Sequence, residues 1–402
     1  MKTFIPLLLT IVTFASVALA QSTKDKIEIG VQTTSLTLVS PDFSFDDTQT
    51  GIGGRFTYNL NRSIAAEAEI NFFPQKVFIL NGDGSAVQGQ FGVKVGKRFE
   101  KFGLFGKVRP GFLSVDRVVP FIPFPGSQGI PISRFTLERR TFFTVDAGGV
   151  LELYPSRRTV VRLEAGDTII RHPAQFFRSA KFNNNFQFTA GVAFRLGDFP
   201  DAGTTPETSG GGQERTKRFE VGAQFTSLLV EPLTPFGSIS QPRKHAEPGF
   251  GGRFTFNLTD SIAFEAEGNY FTREQFSFIQ GGHMYQGQFG GKVGKRFDKW
   301  GVFGKARPGF VGFTRVLEFP FGIQTPGPPP IIRPENKLYP SLDIGGVVEF
   351  YISPRWMARF DAGDTVIHYG ELRFPTGTPP FVLLPSETTH NLQVSSGIGF
   401  RF

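Results

Sequence analysis

The chain is one unit written twice. GIGGRFTYNL at 51–60 returns as GFGGRFTFNL at 249–258, and QGQFGVKVGKRF at 88–99 returns as QGQFGGKVGKRF at 286–297. GLFGKVRPGF at 103–112 matches GVFGKARPGF at 301–310, and EAGDTII at 164–170 matches DAGDTVI at 361–367. The offset is 198 residues for the first three pairs and 197 for the last, so a unit of about 180 residues is duplicated almost without insertion. A chain of 402 residues could otherwise hold two or three unrelated domains. The repeat reduces the problem to one fold used twice.

The units occupy residues 21–197 and 217–402. Between them, 198–216 reads DFPDAGTTPETSGGGQERT, with almost nothing to bury, and is expected to be a flexible polar linker. Residues 1–20 read as a secretory signal: a basic start at Lys2, an apolar run, and Ala18-Leu19-Ala20 as a small-x-small cleavage site. The mature chain is then expected to start at Gln21. No later run approaches ~18 continuous apolar residues, so no transmembrane helix is expected. Cysteine is absent, which excludes a disulfide framework, a thiolate zinc site and an acylated lipoprotein anchor. The net charge of +8 is spread thinly and forms no basic stripe, so nucleic acid is not expected as a partner.

Each unit contains eight stretches that alternate in polarity with a period of two. In the first they lie near 26–38, 51–60, 63–73, 86–99, 102–115, 141–154, 157–170 and 185–196. In the last, Phe186, Phe188, Ala190, Val192, Phe194 and Leu196 take one face, and Gln187, Thr189, Gly191, Ala193 and Arg195 the other. Tight connections such as 59–62, 100–103 and 155–158 alternate with long ones near 40–50, 74–85, 117–139 and 171–184. That rhythm predicts an all-β, antiparallel up-and-down barrel spanning an outer membrane, with its short turns on the periplasmic side.

A soluble barrel would show the same alternation with the faces exchanged, so the polar face must decide. In the first unit it holds Arg55, Lys94, Arg98, Lys107, Arg109, Arg162 and Arg195 against Glu28, Glu67, Glu69, Asp146, Glu152 and Glu164. In the second it holds Arg253, Lys292, Arg296, Lys305, Arg307, Arg359 and Arg401 against Glu220, Glu265, Glu267, Asp343, Glu349 and Asp361. The sign agrees at every paired position, while the loops have drifted. Near-neutral, sign-matched charges interleaved with Gly30, Gly92, Gly96, Gly148 and Gly166 suit a narrow interior in which ions must pair. The soluble alternative is a periplasmic barrel that binds a ligand.

In its alternating strands, short-turn and long-loop rhythm, charged interior and terminal GIGFRF, the chain resembles the OmpA-type family of small outer-membrane barrels, in its porin-like branch. The resemblance implies location in the bacterial outer membrane and a structural, adhesive or minor-channel role. It also implies that Phe400 and Phe402, in the last strand, form the signal read by the outer-membrane assembly machinery, with GVAFRL at 191–196 resembling an internal copy. Unlike OmpA itself, the chain repeats the barrel in place of a peptidoglycan-binding domain.

Sixteen strands can close as two barrels of eight or as one of sixteen. Eight strands leave an interior just filled by side chains, and about sixteen leave an aqueous channel. The self-neutralising charges of each unit and the long linker favour two barrels with plugged lumens and a structural or surface-interaction role. The alternative is a sixteen-stranded diffusion porin for small hydrophilic solutes.

No catalytic set, metal site or cofactor is expected. His172, His245, His283, His368 and His390 fall in loops or at strand ends, and none is repeated between units. Asp167 and Asp364 break the alternation, and a bulge at Gly166 turning the acid inward is the expected remedy. Beyond the outer-membrane lipid itself, lipopolysaccharide is an expected partner through Arg139, Arg140 and Arg171. The proline-rich loops at 118–131 and 318–332 offer a surface to a partner the sequence does not name.

Overall fold

The computed structural model describes residues 27–39, 46–74, 84–118, 138–173, 180–196, 217–231, 244–272, 282–316, 335–373 and 382–402. The signal segment, the linker and most of both proline-rich loops lie outside the described residues. The regular structure within them is entirely β.

In the first unit the strands are β1 (Ile27–Val39), β2 (Asp46–Asn59), β3 (Ile64–Phe73), β4 (Ala86–Arg98), β5 (Phe102–Val118), β6 (Glu138–Leu153), β7 (Thr159–His172), β8 (Lys181–Asn183) and β9 (Phe186–Leu196). Strands β1 to β7 form an antiparallel meander, and β9 pairs with both β7 and β1 to close an eight-stranded barrel. The short β8 only extends the loop end of β7. The second unit holds β10 (Phe219–Val230), β11 (His245–Asn257), β12 (Ile262–Phe271), β13 (Met284–Arg296), β14 (Trp300–Val316), β15 (Glu335–Tyr351), β16 (Trp356–Tyr369), β17 (Leu372–Arg373), β18 (Val382–Leu384) and β19 (Glu387–Arg401). Its barrel closes through β10–β19, with β17 and β18 forming a separate hairpin. The last barrel strand of each unit thus returns to that unit's own first strand. This closure overturns the single sixteen-stranded alternative.

The strand β2 begins at Asp46, inside the stretch expected to be a loop. Its polar residues continue the ladder because they find partners there. Gln49 Nε2 donates to Asp47 Oδ2 at 2.7 Å, and the Thr37 and Thr48 hydroxyls meet at 2.9 Å. The short turns are held by side chains that accept backbone N–H groups. Asn61 Oδ1 accepts from Ser63 and Ile64, both at 2.8 Å, and Thr259 does the same for Ser261 and Ile262.

The faces are those of a membrane barrel. Ile29, Val31, Phe91 and Val95 point outward and are exposed, while the alternate residues Glu28, Lys94 and Arg109 are buried inside. Water-facing apolar strands with charged centres would invert the burial that folds a soluble barrel. At Gly148 and Gly166, directly opposite each other across β6 and β7, the backbones leave no room for side chains. A Cβ at Gly148 would stand 2.6 Å from the Gly166 Cα and closer still to the Ala165 carbonyl oxygen. Because backbone cannot step aside, Gly148→Val should cost at least the ~1–3 kcal/mol typical of overpacking. Urea unfolding read by heat-modifiable gel mobility checks this, and a wild-type midpoint would refute the constraint.

The two barrels touch side by side. The Phe188 and Phe225 rings stack at 4.1 Å, and Thr50 Oγ1 lies 2.7 Å from Ser227 Oγ. Nearer the short-turn end, Leu153 and Val161 of the first barrel pack with Ile352 and Ala358 of the second. These outward residues are buried by the neighbouring barrel rather than by their own.

Candidate functional site: the barrel interiors

The inward face changes chemistry along the barrel axis. On β1 it runs, from the short-turn end to the loop end, Glu28, Gly30, Gln32, Thr34, Leu36 and Leu38. Most strands follow this order, which builds three layers: ion pairs, then amides and hydroxyls, then a mainly apolar cap, into which β2 sends Gln49 and Asp47 and β11 sends Glu247.

In the first barrel the ionic layer centres on Arg162, whose guanidinium grips Glu67 through two N–H groups and Glu164 through Nε. Lys94 lies between Glu67, at 3.3 Å, and Glu152, which it also contacts. Arg109 donates from Nε and Nη2 to Asp146 at 3.0 and 2.7 Å, from Nη1 to Glu69 at 2.7 Å, and from Nη2 to Glu164 at 2.8 Å. Lys107 bridges Asp146 and Glu164 at 2.8 and 2.7 Å. Arg55 reaches Glu164 at 3.3 Å and Gln32 at 3.1 Å. At the short-turn end, Arg195 meets Glu28 at 3.0 Å and stacks over Tyr154, while Arg98 bonds Asn59. Tyr154 donates to Glu152 at 2.8 Å. Arg109, Arg162 and Lys94 have no exposed surface.

The second barrel repeats the scheme with one change. Arg359 grips Glu265, Lys292 joins Glu265 and Glu349, and Arg307 holds Asp343 and Glu267. Lys305 meets Asp343 at 2.8 Å, Arg296 and Arg401 both meet Glu220 at 3.2 Å, and Tyr351 donates to Glu349 at 2.9 Å. The change is Asp361, which stands where the first barrel has Glu164. One methylene shorter, it folds back onto Arg359, through Nε at 2.7 Å and Nη2 at 2.8 Å, and lies 3.5 Å from Lys305 and 3.8 Å from Arg253. Glu164 thus ties three strands together where Asp361 serves mainly its own.

Above the ions, side-chain amides run in a chain across the lumen. Gln32 donates to Asn71 at 2.9 Å, Asn71 to Gln88 at 3.0 Å, and Gln88 to Gln187 at 2.9 Å. Gln224, Asn269, Gln286 and Gln393 repeat this chain at 2.9, 2.8 and 3.0 Å. The cap follows: Leu36, Phe73, Leu113, Phe142 and Ile170 in the first barrel, and Leu228, Phe271, Val311, Phe313 and Tyr369 in the second. Sequence reasoning found the ions but neither upper layer. The amide layer had a signal in the inward register of Gln32, Asn71 and Gln88.

The expected bulge at Gly166 is absent. Register runs unbroken through Gly148↔Gly166 and Ala147↔Asp167, so Asp167 points outward. Its carboxylate is satisfied there, accepting the Asn185 backbone N–H at 2.6 Å. Asp364 does the same for Asn391 at 3.0 Å and also meets His390 Nδ1 at 2.6 Å. His368 and His390 lie within β16 and β19, and among the described residues no group of three or more His, Asp or Glu could hold a metal ion. Arg171 and Arg139 point outward, Arg139 onto Asp116, whereas Arg140 pairs in register with inward Val115 and shares its face. Phe402 exchanges backbone hydrogen bonds with Phe219 at 2.9 and 3.2 Å, and Phe400 pairs in register with Val221.

Residues 6–198 match the family model described as an outer membrane protein beta-barrel domain. The first barrel belongs to this outer-membrane β-barrel family. Its repeat supplies the second, and the inverted faces of both agree, so the protein resides in the bacterial outer membrane. No curated protein matches the chain. Among solved structures it is similar to Ail, the attachment invasion locus protein of Yersinia pestis, in complex with the heparin analogue sucrose octasulfate. The identity is 11%, over 43% of this chain and 99% of that one, with a TM-score of 0.27. Neisserial surface protein A is 12% identical over 46% of this chain and 97% of its own, with a TM-score of 0.28. A Pseudomonas aeruginosa FadL homologue is 11% identical over 94% and 90%, with a TM-score of 0.27.

Proposed function

We propose that this outer-membrane protein is a non-conducting, non-enzymatic component with a structural or surface-presenting role, whose working parts are its loop-bearing ends. The observation that supports this reading is the three-layered filling of each barrel, in which the central inward arginines and lysines are fully buried beneath an amide layer and a mainly apolar cap. An ion crossing such a lumen would have to break buried pairs and then pass a level filled mainly by buried apolar side chains, both costly in a low-dielectric interior. The refolded mature chain, shown to be inserted in a planar bilayer, is therefore expected to give no stable single-channel openings. Large, long-lived openings would overturn the proposal and make the same arginines selectivity residues.

Outward Arg171 and Arg139 near the loop ends suit phosphate groups of lipopolysaccharide, since guanidinium forks bind phosphate well. Arg139→Ala with Arg171→Ala is expected to weaken lipopolysaccharide binding to the folded protein several-fold in a titration. Unchanged binding would remove this partner.

A further inference from the structure

A cavity of about 850 Å³ opens beside the line where the two barrels meet. Its first wall includes Val31, Ile52 and Phe72, and its second Val348, Phe360 and Val394. All six project from lipid-facing positions of their strands, alternating with the buried interior. The cavity continues the barrel–barrel interface: Val192 and Phe360 line it and also pack against the cluster of Leu153, Val161, Ile352 and Ala358. Toward the loop end, Phe188 stacks on Phe225 and Thr50 meets Ser227.

Such a space has few possible contents. Water is disfavoured, because these walls offer no set of polar partners, and apolar cavities stay dry. Vacancy is disfavoured because the cost of an empty cavity rises with its volume. A hydrocarbon chain fits the walls, and the volume falls in the range of small-molecule sites. The cavity starts on the short-turn side and runs past mid-strand to Phe72, one residue from the loop end of β3. Val31 lies four residues from the short-turn end of β1, Val348 three from that of β15, and Phe360 four from that of β16. The short turns face the periplasm.

We propose that this cavity binds an acyl chain of a phospholipid from the periplasmic leaflet, so that one lipid is a third component of the interface between the barrels. The chain fills the wedge that two convex cylinders cannot close. The glycerophosphate headgroup then lies at the short-turn rim.

Native mass spectrometry of the full chain, purified from membranes in mild detergent, tests this. Wild-type protein is expected to retain one phospholipid, and Val93→Trp, on the lipid face away from the cavity, to retain it equally. Ala362→Trp, which fills the cavity from β16, is expected to reduce retention at least ten-fold while the barrels stay folded by heat-modifiable mobility. Should the tryptophan prevent folding, Ala362→Leu is read the same way and is expected to lower retention several-fold. Wild type free of lipid, retention unchanged in the filled variants, or retention of lipid A in place of phospholipid would each overturn the proposal.

Discussion

Arg162→Ala lowers the unfolding free energy of the first barrel by about 3–5 kcal/mol, the usual cost of breaking a buried ion pair from one side. The size follows from what is left behind. Glu67 loses its two-pronged partner and keeps only Lys94 at 3.3 Å and Arg109 at 3.6 Å, Glu164 loses one of its cations, and Glu152 loses a guanidinium 3.8 Å away, in a layer that water does not reach. Urea unfolding of protein refolded into vesicles, followed by heat-modifiable mobility, gives the number. Arg162→Lys recovers only part of it, since an ammonium cannot reproduce the fork that spans Glu67. Arg162→Met combined with Glu67→Gln recovers more, because the stranded charge goes with its partner. A loss below ~1 kcal/mol for Arg162→Ala would place the network in solvent, where ion pairs contribute that little. The same series at Arg359 and Glu265 should behave alike.

Cutting the linker leaves both halves folded. A protease site introduced within 198–216, cleaved after insertion, should yield two fragments that each retain the mobility of a folded barrel in unheated gels. Each ring is complete without the other, since β9 closes on β1 and β19 on β10. Loss of folded mobility in either fragment would show that the seam between barrels, with its Phe188–Phe225 stack, is required for closure. The two fragments should still migrate together in mild detergent if that seam holds without the tether.

Much of this architecture was legible from residues alone, and the failures have physical causes. The charged faces could be read because β3 and β4 alternate cleanly: Glu67 and Glu69 against Ala66 and Ala68, Lys94 against Val93 and Val95. The apolar cap could not. Toward the loop end the inward Leu36, Leu113 and Phe142 are as apolar as the lipid-facing residues beside them, so the period of two fades where both faces are oily. The seam was hidden for a related reason. Val161 and Ala358, buried by the other barrel, belong to the same residue class as the lipid-facing side chains. Asp167 misled because an outward acid was costed without its partner. The Asn185 amide that satisfies it comes from the connection between β8 and β9, 18 residues along the chain, which a local reading does not supply.

The pair of Glu28 and Arg195 sits in register on the first and last strands of its barrel, 167 residues apart, and Glu220 and Arg401 repeat it in the second. Neither charge meets the other until the chain ends find each other. Before that moment, the ring is an open sheet with the acid on one edge strand and the base on the other. Closing so long a loop is the slow, entropically costly step of such a topology. The latch therefore rewards only the finished ring, because this pair forms nowhere short of closure.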